Sequence, residues 1–405
     1  MKRFGKTTKY IFALILVQSL LLVSCMGGKS GSSKKTNEVH IRVWETKNGA
    51  DSFIKQAGKI YTEQNPNVVI DYIHVGLNDM IPLLEKDGPA GIGADMISSA
   101  HDNLGNLVSK NLILPTENPD VISKKVLGAC SKALTYNGKM YGYPACAETY
   151  ALFYNKKLIS ESEVPRSWDG LIQWVENFNA THKNQLGFVM DVTNGYYSIL
   201  FTTADGNRLY GESGTNASNP CMNTPAAVRG LKLFQSLRTK LGLEGIELSS
   251  SACDGMFASG NAAMHITGLW NVSTFENAGI DFGVSPLPSL PGESKPAASF
   301  SGTRGMFVTS FSKHPKEASE FAEFLLSPEM QKLRFELTGV LPAINIDVKS
   351  RYMSGFLQQL DVAFPMPSIP AMGKFWGEFG GSLWRIWNGA DVNSELDTLN
   401  MKIRG

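Results

Sequence analysis

Asp102 and Glu148 are the two carboxylates whose settings invite a chemical reading. His101-Asp102-Asn103 follows the short apolar segment Ala94-Asp-Met-Ile-Ser98. That is the carboxyl edge of an expected strand, where α/β sheets bind ligands. A glycoside hydrolase needs two carboxylates at a set separation, and Asp102 with Glu148 can be written as such a pair. The same groups can also accept hydrogen bonds from ligand hydroxyls with no reaction at all. His101 beside Asp102 suggests a dyad, but neighbours on an extended segment point in opposite directions. The sequence has no Gly-x-Ser-x-Gly elbow, no phosphate-cradling Gly-x-x-x-x-Gly-Lys-Ser/Thr and no His-Glu-x-x-His. Binding is favoured over catalysis.

The 7 tryptophans sort by context. Trp44 lies in an alternating strand and belongs in a core. Trp168, in Pro165-Arg-Ser-Trp168, opens a helix and reads as an anchor, as does Trp174. Trp270 follows the strand Ala263-Met-His-Ile-Thr267, and Trp376 follows Ile369-Pro-Ala-Met372. Both can face a cleft. An apolar C–H ring face stacks on such aromatics, while a rim of hydroxyls needs Asp, Glu, Asn or Arg.

The amino terminus is a targeting segment. Lys2, Arg3, Lys6 and Lys9 precede a mainly apolar run of 14 residues, Tyr10 to Val23. That is short for a membrane span and right for a signal peptide. The run closes on Leu22-Val-Ser-Cys25, and a Gly/Ser/Lys-rich tether follows. The pattern resembles a bacterial lipobox, in which Cys25 becomes the lipidated first residue and acyl chains hold the protein on a membrane. Cleavage removes four positive charges and no negative ones, taking the net charge from +1 to −3. Cys130, Cys146, Cys221 and Cys253 remain, and an exported chain leaves one or two disulfides open. No Cys or His spacing suits zinc, so no metal is expected.

The elements that must position these residues alternate. Val39-His-Ile-Arg-Val-Trp44 reads as a strand. Phe53, Ile54, Ala57, Ile60 and Tyr61 form one face of a helix capped by Asp51 and Ser52, and Val68 to Val75 is a second strand. Strand, helix, strand makes a βαβ unit, so the class is α/β with a largely parallel sheet. Tyr136-Asn-Gly-Lys139 marks a hairpin and 142–154 a long extended run. Helices are expected at about 168–178, 225–241 and 316–326.

The chain has 405 residues, 43% of them hydrophobic and 10% aromatic, with Lys+Arg 38 against Asp+Glu 37. This excludes disorder, and the near-neutral balance excludes a nucleic-acid partner. No linker divides the mature chain, yet it exceeds what one core usually holds. Two domains between which the chain crosses more than once are expected.

Several motifs together resemble extracellular solute-binding proteins for carbohydrates. They are Tyr136-Asn-Gly-Lys-Met-Tyr-Gly-Tyr-Pro144, Glu148 with Leu152-Phe-Tyr-Asn-Lys156, Phe257-Ala-Ser-Gly-Asn-Ala-Ala-Met264 with Gly268-Leu-Trp270, Gly283-Val-Ser-Pro-Leu-Pro288 and Leu325-Leu-Ser-Pro-Glu-Met330. Ala100-His-Asp102 and Ile369-Pro-Ala-Met-Gly-Lys-Phe-Trp376 resemble the maltose/maltodextrin-binding branch in particular. The resemblance spans essentially all of 39–405.

It implies a periplasmic-binding-protein type II fold, two α/β lobes joined by hinge strands around a ligand cleft. Lobe 1 would comprise 39–146 and about 300–346, lobe 2 about 150–297 and about 350–405, after a signal peptide (1–24) and a lipidated tether (25–38). Asp102, Glu148, Asn103 and Asn48 match positions that meet sugar hydroxyls. Tyr196, Trp270 and Trp376 match stacking aromatics of the second lobe. The resemblance further implies a monomer without cofactor, held at the cell envelope and delivering sugar to the permease subunits of an ABC importer. Departures from the branch pattern are Ser99 and Asn103 for Trp and Arg, Asn48-Gly49 for Asp-Lys, Asn194-Gly195 for an aromatic-plus-Glu-Pro arrangement, and Gly377 for Tyr. A receptor for another polar solute and a secreted glycoside hydrolase using Asp102 and Glu148 stay open as alternatives.

Overall fold

A parallel βαβ unit begins the portion that this computed structural model describes, residues 38–405. The signal segment and Cys25 lie outside the described residues. Strand β1 (Val39–Glu45) pairs along its length with β2 (Val68–His74), and the helix Ala50–Gln64 crosses between them. Phe53, Ile54, Ala57 and Tyr61 are buried on the face the helical period predicts. Asp51 and Ser52, expected as caps, lie inside the first turn instead, because the helix starts at Ala50 with Gly49 as N-cap at φ 89°. A Cβ on Gly49 would stand 2.2 Å from the Leu337 carbonyl oxygen, so only glycine makes this turn.

The remaining strands used below are β3 (Met96–Ala100), β4 (Thr135–Tyr136), β5 (Lys139–Met140), β6 (Tyr143–Asn155), β7 (Leu186–Val189), β8 (Ala262–Gly268), β9 (Phe282–Ser285) and β10 (Phe300–Val308). β4 and β5 form the expected hairpin, with Asn137 and Gly138 both at positive φ, as a type I′ turn requires. The main sheet runs β2-β1-β3-β10-β6-β8-β7, and β9 also pairs with β6.

This sheet is mixed, where the alternation of elements suggests a largely parallel one. β1 is parallel to β2 and β3, and β7 to β8, but β10 runs antiparallel to both β3 and β6. β6 also runs antiparallel to β8. β6 and β10 enter the sheet against the sense of the strands beside them, and the helix–strand rhythm carries no such signal. The two halves of β6 have different partners: Tyr143–Thr149 lies on β10, and Tyr150–Asn155 lies on β8 and β9. One strand therefore joins two differently paired parts of the sheet.

Each lobe has its own core. Around β1, β3 and β10, Ile41, Val43, Met96 and Met306 face one side, while Trp44, Ile97 and Phe307 face the other. Strands buried on both faces explain the near-continuous apolar runs there. The other lobe packs Phe153, Trp168, Phe201, Phe257, Phe282 and Leu399 into one cluster. Trp44 and Trp168 are core residues as expected, and Trp168 meets Phe201 at 4.9 Å between ring centres. Trp174 stacks on Phe178 at 4.9 Å. The expected helices stand at Trp168–Thr181, Pro225–Lys240 and Pro315–Phe324. Cys130, Cys146, Cys221 and Cys253 are all free thiols, so the disulfides left open by the sequence are not formed among them. Among the described residues no helix is long and apolar enough to cross a membrane.

Candidate binding cleft

β3 ends at Ala100, two residues later than the apolar segment suggests, and the chain turns at once into the 3-10 turn His101–Asn103. His101 and Asp102 do diverge, but from this turn rather than from an extended strand. The Thr303 backbone N–H donates to His101 Nδ1 at 3.2 Å, which leaves Nε2 to donate to the Met366 carbonyl at 3.0 Å. Burial brings the imidazole down to about 4 against the pull of those two bonds, so the ring is neutral. It works as a peg between β10 and the segment around Met366.

Asp102 points the other way. Its Oδ2 accepts the indole N–H of Trp376 at 2.7 Å. Burial pushes the carboxyl up to about 6 despite that bond, and the neighbouring charge of Glu148 pushes the same way. Trp376 sits in the helix Met372–Trp387. Glu148 lies in the half of β6 that faces Gly302 of β10. Asn103, on the same turn as Asp102, donates from Nδ2 to Ser99 Oγ at 3.4 Å. Two departures from the family pattern thus contact each other.

The aromatic residues are linked through a buried ring, Phe300. Tyr196 stands in the short helix Gly195–Ser198, where its own N–H is held by Asn194 Oδ1 at 3.0 Å. Its ring centre lies 5.8 Å from Trp270 and 5.9 Å from Phe300, and Phe300 lies 6.2 Å from Trp376. Trp270 folds back over the end of β8 so closely that a Cβ on Gly268 would stand 2.1 Å from its ring. Gly268 is what lets that indole lie flat over the strand end. At Gly377 the opposite holds: a Cβ would meet nothing within 4 Å, so the side chain missing from the branch pattern leaves open space.

Asn48, Asp102, Asn103, Glu148, Tyr196, Trp270 and Trp376 all line one cleft of about 1110 Å³. They come from stretches far apart in sequence, and the fold brings every one of them to the same opening. Asn48 occupies its rim, exposed and at φ 61°. Sequence reading missed Asp191, Arg304 and Arg334, which line the cleft too. A lone charge inside the otherwise uncharged strand Phe300–Val308 is the one signal that could have marked Arg304. Asp191 accepts from the Thr193 N–H and hydroxyl, both at 2.9 Å, and so shapes the loop leading to Tyr196. Among the described residues no cluster of three His, Cys, Asp or Glu side chains could hold a metal ion.

Half-buried aromatic faces beside paired carboxylates and an arginine suit a ring that is apolar on its faces and polyhydroxylated at its edge. Residues 56–347 match the family described as bacterial extracellular solute-binding protein. The galactooligosaccharide-binding protein of Bacillus subtilis (strain 168) is 30% identical over 402 residues, covering 96% of this chain and 94% of that protein. A maltooligosaccharide ABC transporter solute-binding lipoprotein of Streptococcus pneumoniae (strain ATCC BAA-255 / R6) is 26% identical over 395 residues, covering 92% and 90%. Among solved structures, a cyclo/maltodextrin-binding protein complexed with maltotetraose superposes with a TM-score of 0.75 at 31% identity, covering 90% of this chain and 96% of that one.

Proposed function

This chain belongs to the bacterial extracellular solute-binding protein family, and from that premise we propose that it captures a neutral oligosaccharide between its lobes and passes it to an ABC permease. The observation that carries the reading is the set of cleft-lining aromatics Trp270, Tyr196 and Trp376, backed by the buried Phe300 and edged by Asp102 and Glu148. Such aromatics take the C–H faces of sugar rings, and the carboxylates take pairs of hydroxyls. The cleft volume, about 1110 Å³, is at the upper end of small-molecule sites and fits several linked rings. The relatives' names place maltooligosaccharides and galactooligosaccharides in the same ligand class.

Lobe 1 is taken as 39–146 with about 300–346, and lobe 2 as about 150–297 with about 350–405. The division of β6 between two sets of partners supports this boundary. Asp102 and Glu148 lie on the first lobe's side and Tyr196, Trp270 and Trp376 on the second's. A ligand touching both favours the closed form through those differential contacts, and closure presents the loaded protein to the permease. Cys25 carries the lipid anchor that keeps this monomer at the cell envelope. A glycoside hydrolase reading lapses with membership of a binding-protein family.

A thermal-shift screen with maltotriose, maltotetraose, β-1,4-galactotriose, glucose and an amino-acid panel tests the function. At least one oligosaccharide should raise the melting temperature saturably and be recovered intact. Scattering with that sugar should give a smaller radius of gyration. Stabilisation by amino acids and by no sugar would overturn the reading.

A further inference from the structure

Arg304 occupies the middle of β10, opposite Ala100 on β3 and Cys146 on β6, where the register shifts between Arg304 and Gly305. The extra residue is on β6, where Ala145 falls between the partners of Arg304 and Gly305, so Arg304 itself keeps its place in the ladder. The guanidinium is held from beneath on two of its three nitrogens. Nε donates to Ser98 Oγ at 2.7 Å, and Nη2 donates to Glu45 Oε1 at 3.0 Å and Thr46 Oγ1 at 3.1 Å. Glu45 is fully buried and also faces Arg334 at 3.6 Å, so the anchoring charge is fixed in place.

The third nitrogen, Nη1, is different. Among the described residues no acceptor takes its two N–H groups, and it is not one of the polar atoms sealed from solvent. Arg304 lines the cleft that Asp102 and Glu148 also line. A preorganised pair of donors therefore opens on a cleft in which Asp102, Glu148 and Asp191 offer acceptors and Lys47, Lys110 and Arg334 further positive charge. One sugar hydroxyl can donate to a carboxylate while the adjacent one accepts from the guanidinium, which reads a vicinal diol as a unit.

Resting on the sugar reading above, we propose that Arg304 is a ligand-contacting residue whose Nη1 edge donates to a ring hydroxyl and sets which hydroxyl pair is preferred. Its place within β10 marks it as unusual, but the groups that hold it come from β1, β3 and the loop after β1.

The test is calorimetric titration of the full chain with maltotriose and with β-1,4-galactotriose, in wild type and Arg304→Lys. Lysine keeps a positive charge against Glu45 but loses the forked donor edge. Affinity for the tighter sugar should fall about tenfold or more, while the sugar-free melting temperature stays near that of wild type. In a series of monodeoxy sugars, one deoxygenation that weakens wild type should leave Arg304→Lys unaffected, which a merely structural arginine would not produce. If Arg304→Lys fails to fold, Arg304→Gln takes its place, since it leaves the buried Glu45 paired with Arg334, and it should show the same loss. Affinity within twofold of wild type in whichever variant folds, with no change along the deoxy series, overturns the proposal. If wild type binds neither sugar, the sugar reading itself falls and takes this contact with it.

Discussion

The indole N–H of Trp376 donates to Asp102 Oδ2 at 2.7 Å, tying a helix near the end of the chain to the turn that closes β3. A cleft-lining aromatic and the site's most buried carboxylate are thus one unit. Trp376→Phe keeps an apolar ring but removes the donor, whereas Trp376→Ala removes both. Alanine should cost about 1–3 kcal/mol of sugar affinity, roughly 5- to 150-fold in Kd. Phenylalanine should cost less, and it should move the Asp102 carboxyl further up, because the bond that lowers it is gone. Titration of both variants checks this. Wild-type affinity in Trp376→Ala would mean that the ring only packs against its helix neighbours.

Stacking and hydroxyl recognition separate by selectivity. Trp270→Ala should weaken all bound sugars by a comparable factor, again about 1–3 kcal/mol. Asp102→Ala and Glu148→Ala should instead reorder epimers, since hydroxyls left buried without acceptors cost about 1–3 kcal/mol each. A panel of glucose- and galactose-based oligosaccharides measures the ranking. An unchanged ranking in both carboxylate variants would contradict the assignment.

The buried carboxyl also makes binding pH-dependent. Asp102 rises from 3.8 to about 6 in the fold, mainly through burial. Its contribution to stability is therefore fully present below about pH 4 and lost as pH rises through 6. His101, lowered from 6.5 to about 4 by burial, contributes in the opposite sense: fully above 6.5, and lost as pH falls through 4. The two slopes oppose each other between pH 4 and 6. Asp102→Asn removes only the first, so its melting temperature should gain on wild type as pH rises from 4 to 7. Sugar hydroxyls bond best to the ionised form, so wild-type affinity should drop between pH 7.5 and 5 while Asp102→Asn stays level. A level wild-type curve would show that Asp102 does not take the ligand.

The lipid anchor is tested at Cys25. Cys25→Ala should leave the protein unprocessed or release it from the membrane fraction. Processing and membrane retention like wild type would rule out lipidation at this residue.

Much of the fold was written in the chain itself. Apolar periodicity marks the βαβ start and the helices beginning at Trp168, Pro225 and Pro315, and turn chemistry marks the hairpin at Asn137-Gly138, because each depends on neighbours within a turn or two. Of the cleft residues, Asp102 and Trp270 were legible because each follows directly on a strand. Glu148 in mid-strand, Trp376 within a helix and Tyr196 were legible as ligand positions through the motif resemblance.

Only the tertiary structure decided the rest. Strand direction is not encoded in periodicity, so the antiparallel placement of β10 and the division of β6 between two sets of partners emerged from how the sheet is assembled. The Trp376–Asp102 bond spans 274 positions and the Arg304–Glu45 bond 259. Neither has a spacing to read. Arg304 looks anomalous as the one charge of its strand until Glu45, brought from β1, shows why a positive charge can be buried there. A buried charge is tolerable only with its partner in place, and that partner is chosen by packing, not by sequence proximity.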